Sequence, residues 1–127
     1  MANECIPLFD PGSALTATAS AAVTGKRFVD VTAGLNAANG TLATVAHAAP
    51  AARALGVAVR DTASGARLTV ETRPGAVVPV TAGATIAAGA EVEVGSAGQA
   101  ITLASGKACG KALSAATSGN DVFVRLY

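Results

Sequence analysis

Glu91-Val92-Glu93-Val94-Gly95-Ser96-Ala97-Gly98-Gln99-Ala100-Ile101-Thr102-Leu103 carries the reading of the fold. In its first run Val92 and Val94 point to one face and Glu91 and Glu93 to the other, the period-two pattern of a half-buried strand. A Gly-Ser-Ala-Gly turn follows, with glycines free to take the positive φ that tight turns require, and then a second apolar run. Working outward, runs of the same kind occur at 27–32, 56–60, 67–72, 77–80, 91–94, 100–103 and 122–127. Turn signals stand between them at Asn39-Gly40, Ser64-Gly65 and Ser118-Gly119-Asn120-Asp121. In the last run Val122, Val124 and Leu126 oppose Phe123 and Arg125. Helical periodicity is absent, except that residues 48–55 could form one short helix with Pro50 in its first turn. The expected fold is mainly β: a small barrel or sandwich-like domain with at most one short helix.

The N-terminal stretch reads differently. Pro7, Pro11 and Gly12 interrupt any regular element, and residues 14–22 are a low-complexity run of Ala, Thr and Ser with a single Leu. This predicts an extended arm over residues 1–22 and a β-rich domain over 23–127. The apolar cluster Ile6-Pro7-Leu8-Phe9 would be costly to leave in water and is expected to dock, on a partner or on its own domain.

Composition limits what such a domain can do. Of the 127 residues 51% are hydrophobic but only 3% aromatic, with no Trp, so the core is built from small aliphatic side chains. A core so thin gains by burying a face against another subunit, and oligomerisation is expected. Nine basic and eight acidic residues, net charge +1, argue against a nucleic-acid partner. The scattered Phe9, Phe28, Phe123 and Tyr127 offer no stacking platform for single strands. Residues 14–23 are too short and too broken by Thr and Ser to span a membrane. The opening Met1-Ala2-Asn3-Glu4-Cys5 lacks the basic start of a secretory signal, so synthesis inside the cell without processing is expected, and Asn39-Gly40-Thr41 reads as a turn rather than a glycosylation site.

Specific chemistries fail one by one. Cys5 and Cys109 lack metal or redox spacing and read as free thiols. His47, the single histidine, has no acidic residue or cysteine near it in sequence, and a structural or surface role is expected. Glu91 and Glu93 share a strand face, which reads as a solvated sheet surface rather than an acid/base pair. Gly106-Lys107-Ala108-Cys109-Gly110-Lys111-Ala112 has three residues between its glycines where a phosphate loop has four, and Ala112 where the loop needs Ser or Thr. Thr24-Gly25-Lys26 lacks the preceding glycine. Residues 81–92 resemble the flattened hairpins of biotinyl and lipoyl carrier domains, yet no lysine lies between Lys26 and Lys107 to be modified. No catalytic residue, metal, cofactor or small-molecule substrate is expected.

Sliding the chain against itself shows a partial repeat. Gly56, Ala58, Ser64, Gly65, Leu68 and Val70 match Gly110, Ala112, Ser118, Gly119, Val122 and Val124, each pair 54 positions apart (56 to 110). Upstream, Phe28-Val29-Asp30-Val31 and Val92-Glu93-Val94 fall at similar places, with a longer insertion in the first copy. Two related β-units are expected, with Gly56-Val57-Ala58 and Gly110-Lys111-Ala112 at equivalent strand starts.

Taken in order, several segments together resemble the capsid cement, or head decoration, proteins of tailed bacteriophages. They are Met1-Ala2-Asn3-Glu4 with Ile6-Pro7-Leu8-Phe9 and Pro11-Gly12, then Ala22-Val23-Thr24-Gly25-Lys26-Arg27-Phe28-Val29, then Gly56-Val57-Ala58. They continue through Val78-Pro79-Val80-Thr81-Ala82-Gly83, Ile86-Ala87-Ala88-Gly89-Ala90-Glu91-Val92-Glu93-Val94 and Asn120-Asp121-Val122-Phe123-Val124-Arg125-Leu126-Tyr127. The resemblance implies a virion protein on the outer surface of an expanded head, bound to the major capsid protein, often as a homotrimer, bridging capsomers and reinforcing the shell. With it the arm becomes the expected contact: Asn3, Glu4, Ile6, Pro7, Leu8 and Phe9 would extend a capsid β-sheet by strand addition. A head-fibre or tail-associated adhesin is the alternative, with the shortage of Trp and Tyr against a glycan site.

Overall fold

In the computed structural model, residues 14–127 are described. The alternation seen in the sequence becomes ten short strands: β1 (Ala14–Ala19), β2 (Phe28–Asn36), β3 (Leu42–His47), β4 (Gly56–Ala58), β5 (Arg67–Glu71), β6 (Val77–Thr81), β7 (Glu91–Val94), β8 (Ala100–Thr102), β9 (Gly110–Ala112) and β10 (Asp121–Leu126). Each of the seven expected runs holds a strand, and β1 and β3 were not foreseen. Residues 48–55 form no helix. Their apolar residues serve a connection between β3 and β4 in which Ala51 takes φ 65°, a left-handed value incompatible with continuing a helical turn. The only helical segments among the described residues are two 3-10 turns, Ala37–Asn39 and Ser96–Gly98.

The chain is two versions of one barrel. The first closes in the order β1-β3-β2-β4-β5, and the second forms a sheet in the order β6-β10-β9-β7-β8, whose end strands meet at a parallel bridge between Ala82 and Ala100. Register shows that these are the same object. Val57↔Glu71 and Ala58↔Val70 in the first unit become Lys111↔Arg125 and Ala112↔Val124 in the second. Likewise Val29↔Gly56 becomes Val92↔Gly110, Leu15↔Val70 becomes Val78↔Val124, and the bridge Val23↔Thr62 becomes Ile86↔Ala116. The sequence repeat is therefore a duplication of structure. Gly56 and Gly110 recur for one reason: a Cβ at Gly110 would stand 2.5 Å from the Arg125 carbonyl oxygen, and one at Gly56 would meet the Glu71 carbonyl oxygen as closely.

The duplication also corrects the domain boundary. β1 is the counterpart of β6, bonded to β5 along five register pairs and to β3 along two, with Ala17 and Ala19 fully buried inside the barrel. Residues 14–22 thus belong to the domain and not to an arm. Small side chains that look unable to hold a strand on water are what the narrow lumen of a five-stranded barrel accepts. Residues 1–13 lie outside the described residues.

Two apolar clusters result. Ala17, Ala19, Val23, Val29, Val45, Ala58, Leu68 and Val70 fill the first barrel. The second barrel is filled by Val80, Ala82, Ile86, Val92, Val94, Ala100, Ala112, Val122, Val124 and Leu126, but also by Phe28, Ala48 and Val57 of the first unit. Neighbours on β2 face opposite ways: Val29 points into its own barrel, while Phe28, the largest buried side chain, plugs the other. That plug stabilises the junction by about 2–3 kcal/mol.

Candidate interaction surface

The junction between the two barrels is head to tail. The first barrel offers the start of β2 and the β3–β4 connection, and the second offers β6, the end of β7 and the turn after it. The Lys26 carbonyl accepts the Thr81 N–H at 2.8 Å, Arg27 Nη1 donates to the Ala97 carbonyl at 3.0 Å, and the Ala51 N–H donates to the Val94 carbonyl at 2.9 Å. Gly98 lies so close to the Phe28 backbone that a Cβ there would stand 2.5 Å from the Phe28 carbonyl oxygen. Lys26 Nζ reaches Asp121 at 2.9 Å, both side chains largely in water, so this pair adds little to stability. Packing at the seam leaves a cavity of only about 30 Å³ beside Phe28, Cys109 and Leu126, room for no more than a water molecule.

Because the two faces of this junction differ, each barrel carries both of them and one of each is left unmatched. Val94, covered by the first barrel, is 1% exposed, whereas its counterpart Val31 is 46% exposed. Phe28 and Val57, buried in the junction, have exposed Glu91 and Lys111 as counterparts on the second barrel. The units differ most at one hairpin. Val29 and Val45 are 16 positions apart, while Val92 and Ala100 are 8 apart, so the β2–β3 hairpin projects beyond the barrel. Residues 31–38 are exposed throughout, and no ionisable side chain stands between Asp30 and His47.

The remaining large exposed apolar side chains are concentrated on the second barrel. Pro79 on β6 is opposite Phe123 on β10, and the Leu113 N–H donates to the Phe123 carbonyl at 2.8 Å. Pro79, Phe123 and Leu113 therefore form one row across the outside, with Phe123 49% and Leu113 52% exposed and Val77 beside them. The same row on the first barrel reads Thr16, Thr69, Val59. The alternation of residues 122–127 already placed Phe123 outward. The row was not legible, because it joins strands distant in sequence, and the hairpin was not, because its strands lack strict alternation.

His47, Glu93 and Glu91 each hold a local hydrogen bond. His47 Nε2 accepts the Thr24 N–H at 2.9 Å, and partial burial together with the Arg27 guanidinium holds the ring below its ordinary pKa. Burial pushes the Cys109 thiol up, away from the reactive thiolate. Glu93 departs from the expectation of a solvated pair: it is 4% exposed and accepts the Gly106 N–H. Gly106 packs closely between it and Ala51 of the other barrel, and Val92, Glu93 and Val94 are all buried, so both faces of β7 are covered there. Glu91 stays in water and accepts the Tyr127 hydroxyl at 2.9 Å. Lys107 and Lys111 face solvent, as expected of the failed phosphate loop. Among the described residues no group of three His, Cys, Asp or Glu is placed to hold a metal, and no helix is long and apolar enough to cross a membrane. Asn3, Glu4, Ile6, Pro7, Leu8 and Phe9 lie outside the described residues.

Comparison with curated proteins finds no match. Among solved structures the chain is similar to the N-terminal base of the head fiber protein gp8.5 of bacteriophage phi29: TM-score 0.75, 26% identity, covering 90% of this chain and 92% of that one. The model of the phage cement proteins matches residues 9–127, both barrels included. The family match spans both halves of the doubled barrel, and the chain belongs to the phage cement protein family.

Proposed function

We propose that this chain is a capsid decoration protein that binds the outer surface of the expanded phage head through the major capsid protein and stabilises the shell by bridging capsomers. The observation that carries the reading is the match of the family across both barrels, together with the likeness to a head-fibre base along nearly its whole length. Copies assemble as a homotrimer in this reading. Support comes from the head-to-tail junction, since a heterologous contact that leaves one copy of each face free builds a closed ring when rotation permits. Attachment is assigned to Asn3, Glu4, Ile6, Pro7, Leu8 and Phe9, which extend a capsid sheet and seat Ile6, Leu8 or Phe9 in apolar pockets. Several such arms on one assembly make a long-lived complex from individually modest contacts. The protein is made in the bacterial host and works without catalysis, cofactor or nucleic acid.

A second reading, the base of a head fibre, is favoured by the same structural likeness and also puts the chain on the head. Imaging purified protein mixed with undecorated expanded heads tests the proposal. Saturable density at fixed lattice positions between capsomers is expected, and it should vanish when residues 2–9 are deleted while the domain stays folded. Heads that remain bare with the full chain would sink the decoration reading. Undiminished occupancy by the truncated chain would remove the arm from it.

A further inference from the structure

We propose that the β2–β3 hairpin of one copy packs on the Pro79–Phe123–Leu113 row of a second copy. The inference rests on the head-to-tail association just described and names the surface that makes it. Its precedent lies within the chain, where the tip of the β7–β8 hairpin, Ser96–Gly98, seats on Arg27 and Phe28 of the first barrel. By register, the counterpart of Arg27-Phe28 on the second barrel is Ala90-Glu91, and the counterpart of the seated hairpin is β2–β3. The second copy of this contact cannot be sealed in the same way. Glu91 and Lys111 stand where Phe28 and Val57 are buried, and charged side chains do not plug an apolar barrel end. Apolar surface begins again two residues along β9 and β10, at Leu113 and Phe123, one row further on. The hairpin that would land there has eight residues more than its counterpart, four per strand, or about 13 Å of added reach. One strand spacing and, at right angles to it, one row of side chains separate Glu91 from Leu113, about 8 Å on the diagonal and within that reach. The hairpin brings Val31 and Leu35, 46% and 53% exposed, and no charge to desolvate. Both features that break the likeness of the two units, a longer apolar hairpin on one and an apolar row on the other, thereby become the two halves of one contact.

Sedimentation of the full chain provides the test, with Leu35→Glu, Phe123→Lys, their combination, and Val59→Asp as a control on an exposed apolar residue outside both surfaces. Each of Leu35→Glu and Phe123→Lys should weaken self-association by at least about tenfold, the combination should restore most of it through the new opposite charges, and Val59→Asp should change nothing. Both test residues are exposed, so circular dichroism should match the native protein, and melting should match it at dilutions where both are monomeric. A native chain that stays monomeric at high concentration would overturn the head-to-tail reading and this contact with it. A native chain that associates regardless of Leu35→Glu and Phe123→Lys would overturn the contact alone, as would single losses that the combination fails to restore.

Discussion

Single residues show the duplication at its most exacting. Gly56 and Gly110 bring β4 and β9 against carbonyl groups of β5 and β10, with no space for a methyl group. Gly110→Ala and Gly56→Ala should each destabilise by about 1–3 kcal/mol, as overpacking does, seen as a lower denaturation midpoint with an unchanged slope; values within experimental error of the native protein would contradict the fit. Elsewhere the copies have diverged within the same backbone: Lys26 holds φ 61° where its counterpart Gly89 has 87°. His47 gives a pH dependence. Its folded pKa is lowered by burial and then by Arg27, so between that value and the unfolded one the unfolded chain binds more protons. Stability should therefore be full above about pH 6.5 and decline as pH falls through the folded pKa. Denaturation of His47→Gln at about pH 7.5 and 5.5 should show a smaller decline than the native chain, and an equal decline would assign it to other groups.

Elements were legible in the sequence wherever one face met water. β5, β7 and β10 announced themselves by alternation, and β9 was reached through its repeat of β4. β1 was hidden because Ala and Thr give no amphipathic contrast, although the barrel lumen at Ala17 and Ala19 demands small side chains. β3 was hidden because Leu42 and Ala43 are both buried, which removes the period of two. Residues 48–55 suggested a helix because their apolar residues serve an irregular junction. The candidate arm was legible only as composition, and the exposed hairpin and row needed the register of distant strands. The junction sets the order of dependence between elements. Because Phe28, Ala48 and Val57 complete the core of β6–β10, a peptide of residues 77–127 should be unfolded alone and gain β-structure when a fragment ending at residue 72 is added, measured by circular dichroism. A peptide that folds unaided would mean that the plug is dispensable.

At the scale of the molecule, the sequence led to the expectation of a binding domain with two related units and a thin core that gains by association. The coordinates changed where that thinness lies. The first barrel has its own core, the second borrows from the first, and the main apolar surfaces left exposed are the β2–β3 hairpin, which the internal junction leaves unmatched, and the Pro79–Phe123–Leu113 row beside the charged end of the second barrel. The placement of β1 then has a mechanical outcome. This strand is bonded on both sides, antiparallel to β5 and parallel to β3, and it is the first strand after residue 13. A pull applied ahead of Ala14 loads both ladders in shear, so their bonds must give way together rather than open one after another from a free edge. In the proposed attachment through residues 3–9, such a load enters the barrel by a strand bonded on both sides, which has no free edge from which to peel.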